Sequence, residues 1–176
     1  MIETHPSMTL HGPTSNSFIS QRLRLHYVDW GNSEAPPLLL LHGGRDHCRS
    51  WDWAAEQLRD DWHVIAPDLR GHGDSDWCAV GDYSIGAHCT DIERFVDHLG
   101  VARIAVAGMS MGGINALAYA ARNPSRVSAL IVVDVAPDIQ YAGARRAVDS
   151  AGSARSTFRS LDEALERALA FRADRD

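Results

Sequence analysis

The chain has 176 residues, 45% hydrophobic and 23% charged, with a net charge of −6. That is enough apolar mass for one globular core, and the acidic balance argues against a nucleic-acid partner. The longest apolar runs are far too short to span a bilayer, so no membrane partner is expected. The first ten residues lack the basic start and apolar stretch of a signal peptide. Cys48, Cys78 and Cys89 are an odd, widely spaced set. They read as free thiols of a reducing compartment, and a cytoplasmic location is the expectation.

Residues 1–22 read as a lead-in, polar through Ser17 and broken by Pro6, Gly12 and Pro13, with a short edge strand predicted over residues 18–20. Residues 23–30 alternate apolar and polar side chains, which is strand periodicity. Gly31-Asn32-Ser33 marks a turn. Residues 37–41 form a continuous apolar run, as expected of a strand buried on both faces, and lead directly into His42-Gly43-Gly44. Ser50 is the predicted N-cap of a helix through Leu58, with Trp51, Ala54, Ala55 and Leu58 on its apolar face. Residues 62–66 are the next strand, closed by Pro67. A glycine-punctuated loop, Asp68-Leu69-Arg70-Gly71-His72-Gly73-Asp74-Ser75, follows.

Residues 84–99 carry Ile85, Ile92, Phe95, Val96 and Leu99 at helical spacing, with Gly100 where a C-cap belongs. Residues 104–107 are a strand, and residues 111–122 a helix stopped by Asn123-Pro124. Residues 127–133 are an apolar strand ending at Asp134. Strands and helices alternate from Leu38 onward, so the fold class is α/β, a mostly parallel sheet flanked by helices. Beyond Pro137 the composition turns to Ala, Arg, Ser and Gly. Ser160 and Glu163 then have capping-box spacing ahead of a stripe of Leu161, Ala164, Leu165, Ala168 and Leu169.

The chemistry centres on Gly108-Met109-Ser110-Met111-Gly112, where a strand predicted to end meets a helix predicted to begin. A serine on such a turn presents its hydroxyl outside the sheet. Acyl transfer also needs donors for the oxygen that becomes negative. The N–H groups of Gly44, after the earlier buried strand, and Met111 suit that task. The Asp68–Ser75 run has the residue types of a hydrogen-bonded loop and reads as structural. His42-Gly43-Gly44-Arg45-Asp46-His47 superficially suggests metal ligands, but Gly44 stands where a further ligand is required. The glycines around Ser110 follow a late strand and do not match a dinucleotide fingerprint. No metal and no cofactor are therefore expected.

The stretches LLLLHGG, VIAPDLRGHGDS, VAGMSMGG and ALIVVDVAP, in this order, resemble the α/β-hydrolase fold superfamily over residues 23–137. The resemblance implies Ser110 as nucleophile, with Gly44 and Met111 lining the oxyanion hole. It points to the serine esterase-like and lactonase-like branch, since epoxide-opening and dehalogenating relatives put Asp at the elbow. Residues 138–176 look like the start of a helical cap. In this fold an acid and then a histidine follow the serine. Asp134 is a tentative acid, the alternative being a structural Asp134 with the acid one strand later. No histidine follows His98.

The expectation is thus an N-terminal portion of the fold, truncated before the last strands. The function expected is hydrolysis of a small-molecule carboxylic ester or lactone through an acyl-enzyme on Ser110. The alternative is a catalytically inactive fold used as a binding or assembly module. A bare apolar edge along residues 127–133 is expected to favour self-association or pairing with a missing C-terminal half.

Overall fold

A computed structural model describes residues 12–135 together with Ser160 and Glu163. The chain divides into two compact units, Met1–Pro137 and Asp138–Asp176. In the first, six strands form one mixed sheet in the order β1-β2-β4-β3-β5-β6. They are β1 (Thr14–Ser20), β2 (Leu23–Asp29), β3 (Pro37–Leu41), β4 (His63–Pro67), β5 (Ile104–Met109) and β6 (Val127–Val133). The helices are α1 (Asp52–Leu58), α2 (Ile85–His98) and α3 (Met111–Arg122). The pairs β3–β4, β3–β5 and β5–β6 are parallel, while β1–β2 and β2–β4 are antiparallel.

The continuous apolar run of β3 is explained by two cores, one on each face. Leu39 and Leu41 join Ile65, Val106, Ile92, Phe95, Ala116 and Tyr119 on the side of α2 and α3. Leu38 and Leu40 join Val64, Ala66, Ala105, Ala107 and Ala55 on the side of α1. Successive side chains of a strand point to opposite faces, so a strand covered on both sides must be apolar throughout. Gly100 caps α2 at φ +68°, the left-handed conformation a helix end requires.

Two local expectations are corrected. The first strand begins at Thr14, inside the expected lead-in, and pairs along its whole length with β2. Its first residues are polar because both an edge and a face of β1 meet solvent. Ser50 does not cap a helix. A 3-10 turn over Cys48–Trp51 comes first, capped by the His47 side chain, and Ser50 Oγ donates to His47 O at 2.9 Å. Among the described residues, β6 is the outer strand, as the expectation of a bare edge along residues 127–133 requires, with Ile131 55% and Val133 40% exposed.

In the second unit Glu163 is helical and its N–H donates to Ser160 Oγ at 3.2 Å, as the capping-box spacing predicts. The apolar stripe from Leu161 to Leu169 and residues 1–11 lie outside the described residues. No helix among those described is long and apolar enough to cross a membrane.

Candidate active site

Ser110 sits between β5 and α3 with φ 50° and ψ −115°. An L-residue held there costs about 1–3 kcal/mol, which the surrounding packing must supply. The packing is visible in the glycines. A Cβ on Gly108 would lie 2.3 Å from Gly112 O, and one on Gly112 would lie 2.3 Å from Leu41 O. Strand, turn and helix therefore approach at backbone distance. Ser110 N–H donates to Val133 O at 2.9 Å, and Ser110 O accepts from Ile114 N–H at 3.0 Å. The backbone of the turn is tied on both sides while the serine side chain is exposed.

The second strand end converges on the same place. Gly43 lies against Ser110: a Cβ built on it would be 3.7 Å from Ser110 Cβ. Gly44 lies against Met111, a Cβ there falling 3.8 Å from its Sδ. Met111 opens α3, so its N–H has no acceptor within the helix. The structure thus brings Ser110, Met111 and Gly44 together at the carboxyl ends of β5 and β3.

Asp134 follows the residue whose carbonyl accepts the Ser110 N–H. It is exposed and adopts φ 57°. Among the described residues its carboxylate makes no hydrogen bond or ion pair, so it stands at the rim of the turn uncommitted.

His42 does not serve the serine. Its Nε2 accepts from Leu69 N–H at 2.9 Å, so Nδ1 carries the proton and donates to Gly43 O at 2.7 Å. Both ring nitrogens are occupied, the ring is fully buried, and burial pushes its pKa down. The imidazole is a neutral strut between the His42-Gly43-Gly44 turn and the loop after β4. The other described histidines are engaged elsewhere or buried: His26 with Asp68, His47 with Arg49 N–H, His63 with Asp29, His72 with Arg70 O, His98 with Tyr27, and His88 inside α2's buried face.

The Asp68–Ser75 loop is held by buried polar groups, as its composition suggested. Asp68 Oδ1 accepts from Cys48 N–H at 2.6 Å, and Oδ2 accepts from His26 Nδ1 at 2.8 Å and Asp74 N–H at 2.9 Å. Despite burial, these donors hold the Asp68 carboxyl below its usual range. Cys48, packed against that carboxylate and desolvated, has its thiol pushed up, out of thiolate range at neutral pH.

Arg70 and Asp91 form a fork, Nε to Oδ2 at 2.6 Å and Nη2 to Oδ1 at 2.9 Å, both side chains almost fully buried. Sequence reasoning missed Asp91. Its signal was a carboxylate within the apolar stripe of α2, beside Ile92 and between His88 and Phe95.

The alpha/beta hydrolase fold family matches residues 36–169. The chain belongs to that family. It is 37% identical over 120 residues to a soluble epoxide hydrolase from Corynebacterium sp., covering 68% of this chain and 41% of that protein. It is 34% identical over 126 residues to lipase LipV from Mycobacterium tuberculosis, covering 72% and 47%. Among solved structures, an alpha/beta hydrolase from Novosphingobium aromaticivorans superposes with a TM-score of 0.76 at 31% identity, covering 82% of this chain and 52% of that one. The chain spans about half the length, or less, of these relatives. Hydrolase chemistry is common to all three names; the bond that each breaks is not.

Proposed function

We propose that this hydrolase-fold chain carries the nucleophile and oxyanion site of a serine hydrolase that cleaves a small carboxylic ester or lactone. The observation that carries the reading is Ser110 itself, exposed on a strained turn whose glycines admit no Cβ. Ser110 Oγ attacks the acyl carbon while its proton passes to a base. The carbonyl oxygen, now negative, is stabilised by the N–H groups of Met111 and Gly44. The intermediate collapses as the alkoxide leaves with a proton, and water then releases the acyl group from Ser110. Asp134, exposed beside the residue that accepts the Ser110 N–H, is the candidate acid that would orient the base. That base is not one of the described histidines, whose placements are given above, and it belongs outside the segment from Gly12 to Val135.

Relatives of this chain include epoxide hydrolases and haloalkane dehalogenases. A serine rather than a carboxylate at the elbow favours an acyl-enzyme over the alkyl-ester chemistry expected of an aspartate there. Hydrolysis of a short-chain activated ester by the purified chain, beside Ser110→Ala, tests the proposal. A rate that falls to background in the variant supports it, and equal rates would sink it.

A second reading, an inactive fold serving as a binding or assembly module, is favoured by one pair of facts. The described histidines are committed away from Ser110, and β6 exposes Ile131 and Val133. On that reading the chain self-associates through β6 and shows no Ser110-dependent turnover.

A further inference from the structure

Away from the elbow, three side chains from three parts of the chain meet at one point. They are His26 on β2, Cys48 at the start of the 3-10 turn, and Asp68 just after β4. Their Nδ1, Sγ and carboxylate oxygen all lie within 4.8 Å of one another, and all three residues are buried. The separations are 2.8 Å for His26 Nδ1 to Asp68 Oδ2 and 3.9 Å for Cys48 Sγ to His26 Nδ1. In tetrahedral zinc with bonds of about 2.0–2.3 Å, ligand atoms stand roughly 3.3–3.7 Å apart. Sub-ångström movements would therefore convert this cluster into three sides of a tetrahedron. The fourth side opens on a cavity of about 420 Å³, lined also by Ser15, His47 and Asp74.

We propose that His26, Cys48 and Asp68 form a binding site for a thiophilic divalent cation, zinc by preference, with water as the fourth ligand. The donor set decides the class of metal. One sulfur, one imidazole nitrogen and one carboxylate oxygen suit zinc and disfavour magnesium or calcium, which take oxygen ligands.

The proton count closes. Without metal, the Nδ1 proton of His26 and the thiol proton of Cys48 both lie among Sγ, Nδ1 and the Asp68 carboxylate, where the cation would sit. On binding, Cys48 gives up its proton to solvent, and Sγ and the Asp68 carboxylate balance the two positive charges. His26 stays neutral and changes tautomer: its proton moves from Nδ1 to Nε2. Ser15 Oγ stands 2.8 Å from Nε2 and now accepts from it. That hydrogen bond fixes the ring for a metal on Nδ1, the arrangement by which metal-bound histidines are oriented. The site joins β2, the Cys48 turn and the Asp68 loop, so its occupancy would brace the loop on which His42 leans through Leu69 N–H.

This site is distinct from the His42–His47 run, whose superficial likeness to metal ligands fails at Gly44. It is also independent of the reading of Ser110. The test is titration of the purified full chain with Zn²⁺ alone, and with Co²⁺ as a spectroscopic probe. One equivalent is expected to bind, with a near-ultraviolet sulfur-to-cobalt charge-transfer band. Cys48→Ser is expected to lose the band and about a hundred-fold or more in affinity, His26→Gln to weaken binding comparably, and Ser110→Ala to bind as the parent does. A variant carrying Cys78→Ser and Cys89→Ser keeps the band if Cys48 is the ligand, which holds the test open even if Cys48→Ser fails to fold. Absence of binding, binding without the band, or a band lost in the Cys78/Cys89 variant would overturn the proposal.

Discussion

The turn at Ser110 and the loop from Asp68 to Ser75 lie at the same end of the sheet and are built by opposite means. The turn is made by leaving things out. Side-chain atoms are missing at Gly108 and Gly112, and the Ser110 side chain meets solvent. The loop is made by filling every valence: Asp68 accepts three hydrogen bonds and Arg70 is forked onto Asp91. Bareness and strain suit a group that must react, and saturation suits a group that must not move. The difference predicts which substitutions remove activity and which remove stability.

The largest effect should be on chemistry at the turn. Ser110→Ala is expected to abolish ester hydrolysis while leaving the melting temperature nearly unchanged, because alanine keeps the Cβ that bears the strain at φ 50° and the lost hydroxyl is exposed. Steady-state rates and a thermal melt of the two proteins check this. Gly112→Ala should fail in the opposite way. Its Cβ meets Leu41 O at 2.3 Å, backbone that cannot turn aside, so a loss of at least about 3 kcal/mol is expected in a urea titration.

In the loop, Asp91→Asn leaves the Arg70 charge buried without its counter-charge. A loss of about 3–5 kcal/mol is expected, whereas replacing Arg70 and Asp91 together by Met and Leu should cost far less. A double-mutant cycle separates the two. If Asp91→Asn cost no more than a surface change, the contrast between turn and loop would be lost.

A smaller effect depends on pH. His88 is buried on α2 with Nδ1 unpaired, and its pKa is pushed down to about 4 by desolvation, then by Arg70. The unfolded chain takes up that proton near pH 6.5, the folded chain only near pH 4. Between those values the unfolded state holds more protons, so stability falls as the pH falls, by about 3 kcal/mol over the whole window. His88→Leu should flatten that slope in melts from pH 7 to pH 4.5.

How far the sequence carried can be judged from the same two regions. The turn was legible because its requirements are local: strand, Gly-x-Ser-x-Gly and helix are contiguous, and steric exclusion of a Cβ is a property of neighbours. The two-faced burial of β3 and the helix of α2 were legible for the same reason. The loop's residue types were legible as structural, but its partners were not. Asp68 is bound by Cys48 and His26, 20 and 42 residues away, and Arg70 by Asp91, 21 residues away. No periodicity encodes such distances.

The start of β1 was hidden because an edge strand need not be apolar. His42 shows the limit in another form. It precedes the glycines that pack against the Ser110 turn, and only its two hydrogen bonds show that neither nitrogen is available.

As the proposed nucleophile, Ser110 should be selected from the other serines of the chain by the geometry of its turn. The most direct measurement is reaction of the purified chain with a fluorophosphonate, followed by peptide mapping of the adduct. A single adduct on the peptide containing Ser110, absent from Ser110→Ala, is the predicted result. An adduct distributed over other serines, or one of equal yield in Ser110→Ala, would contradict it.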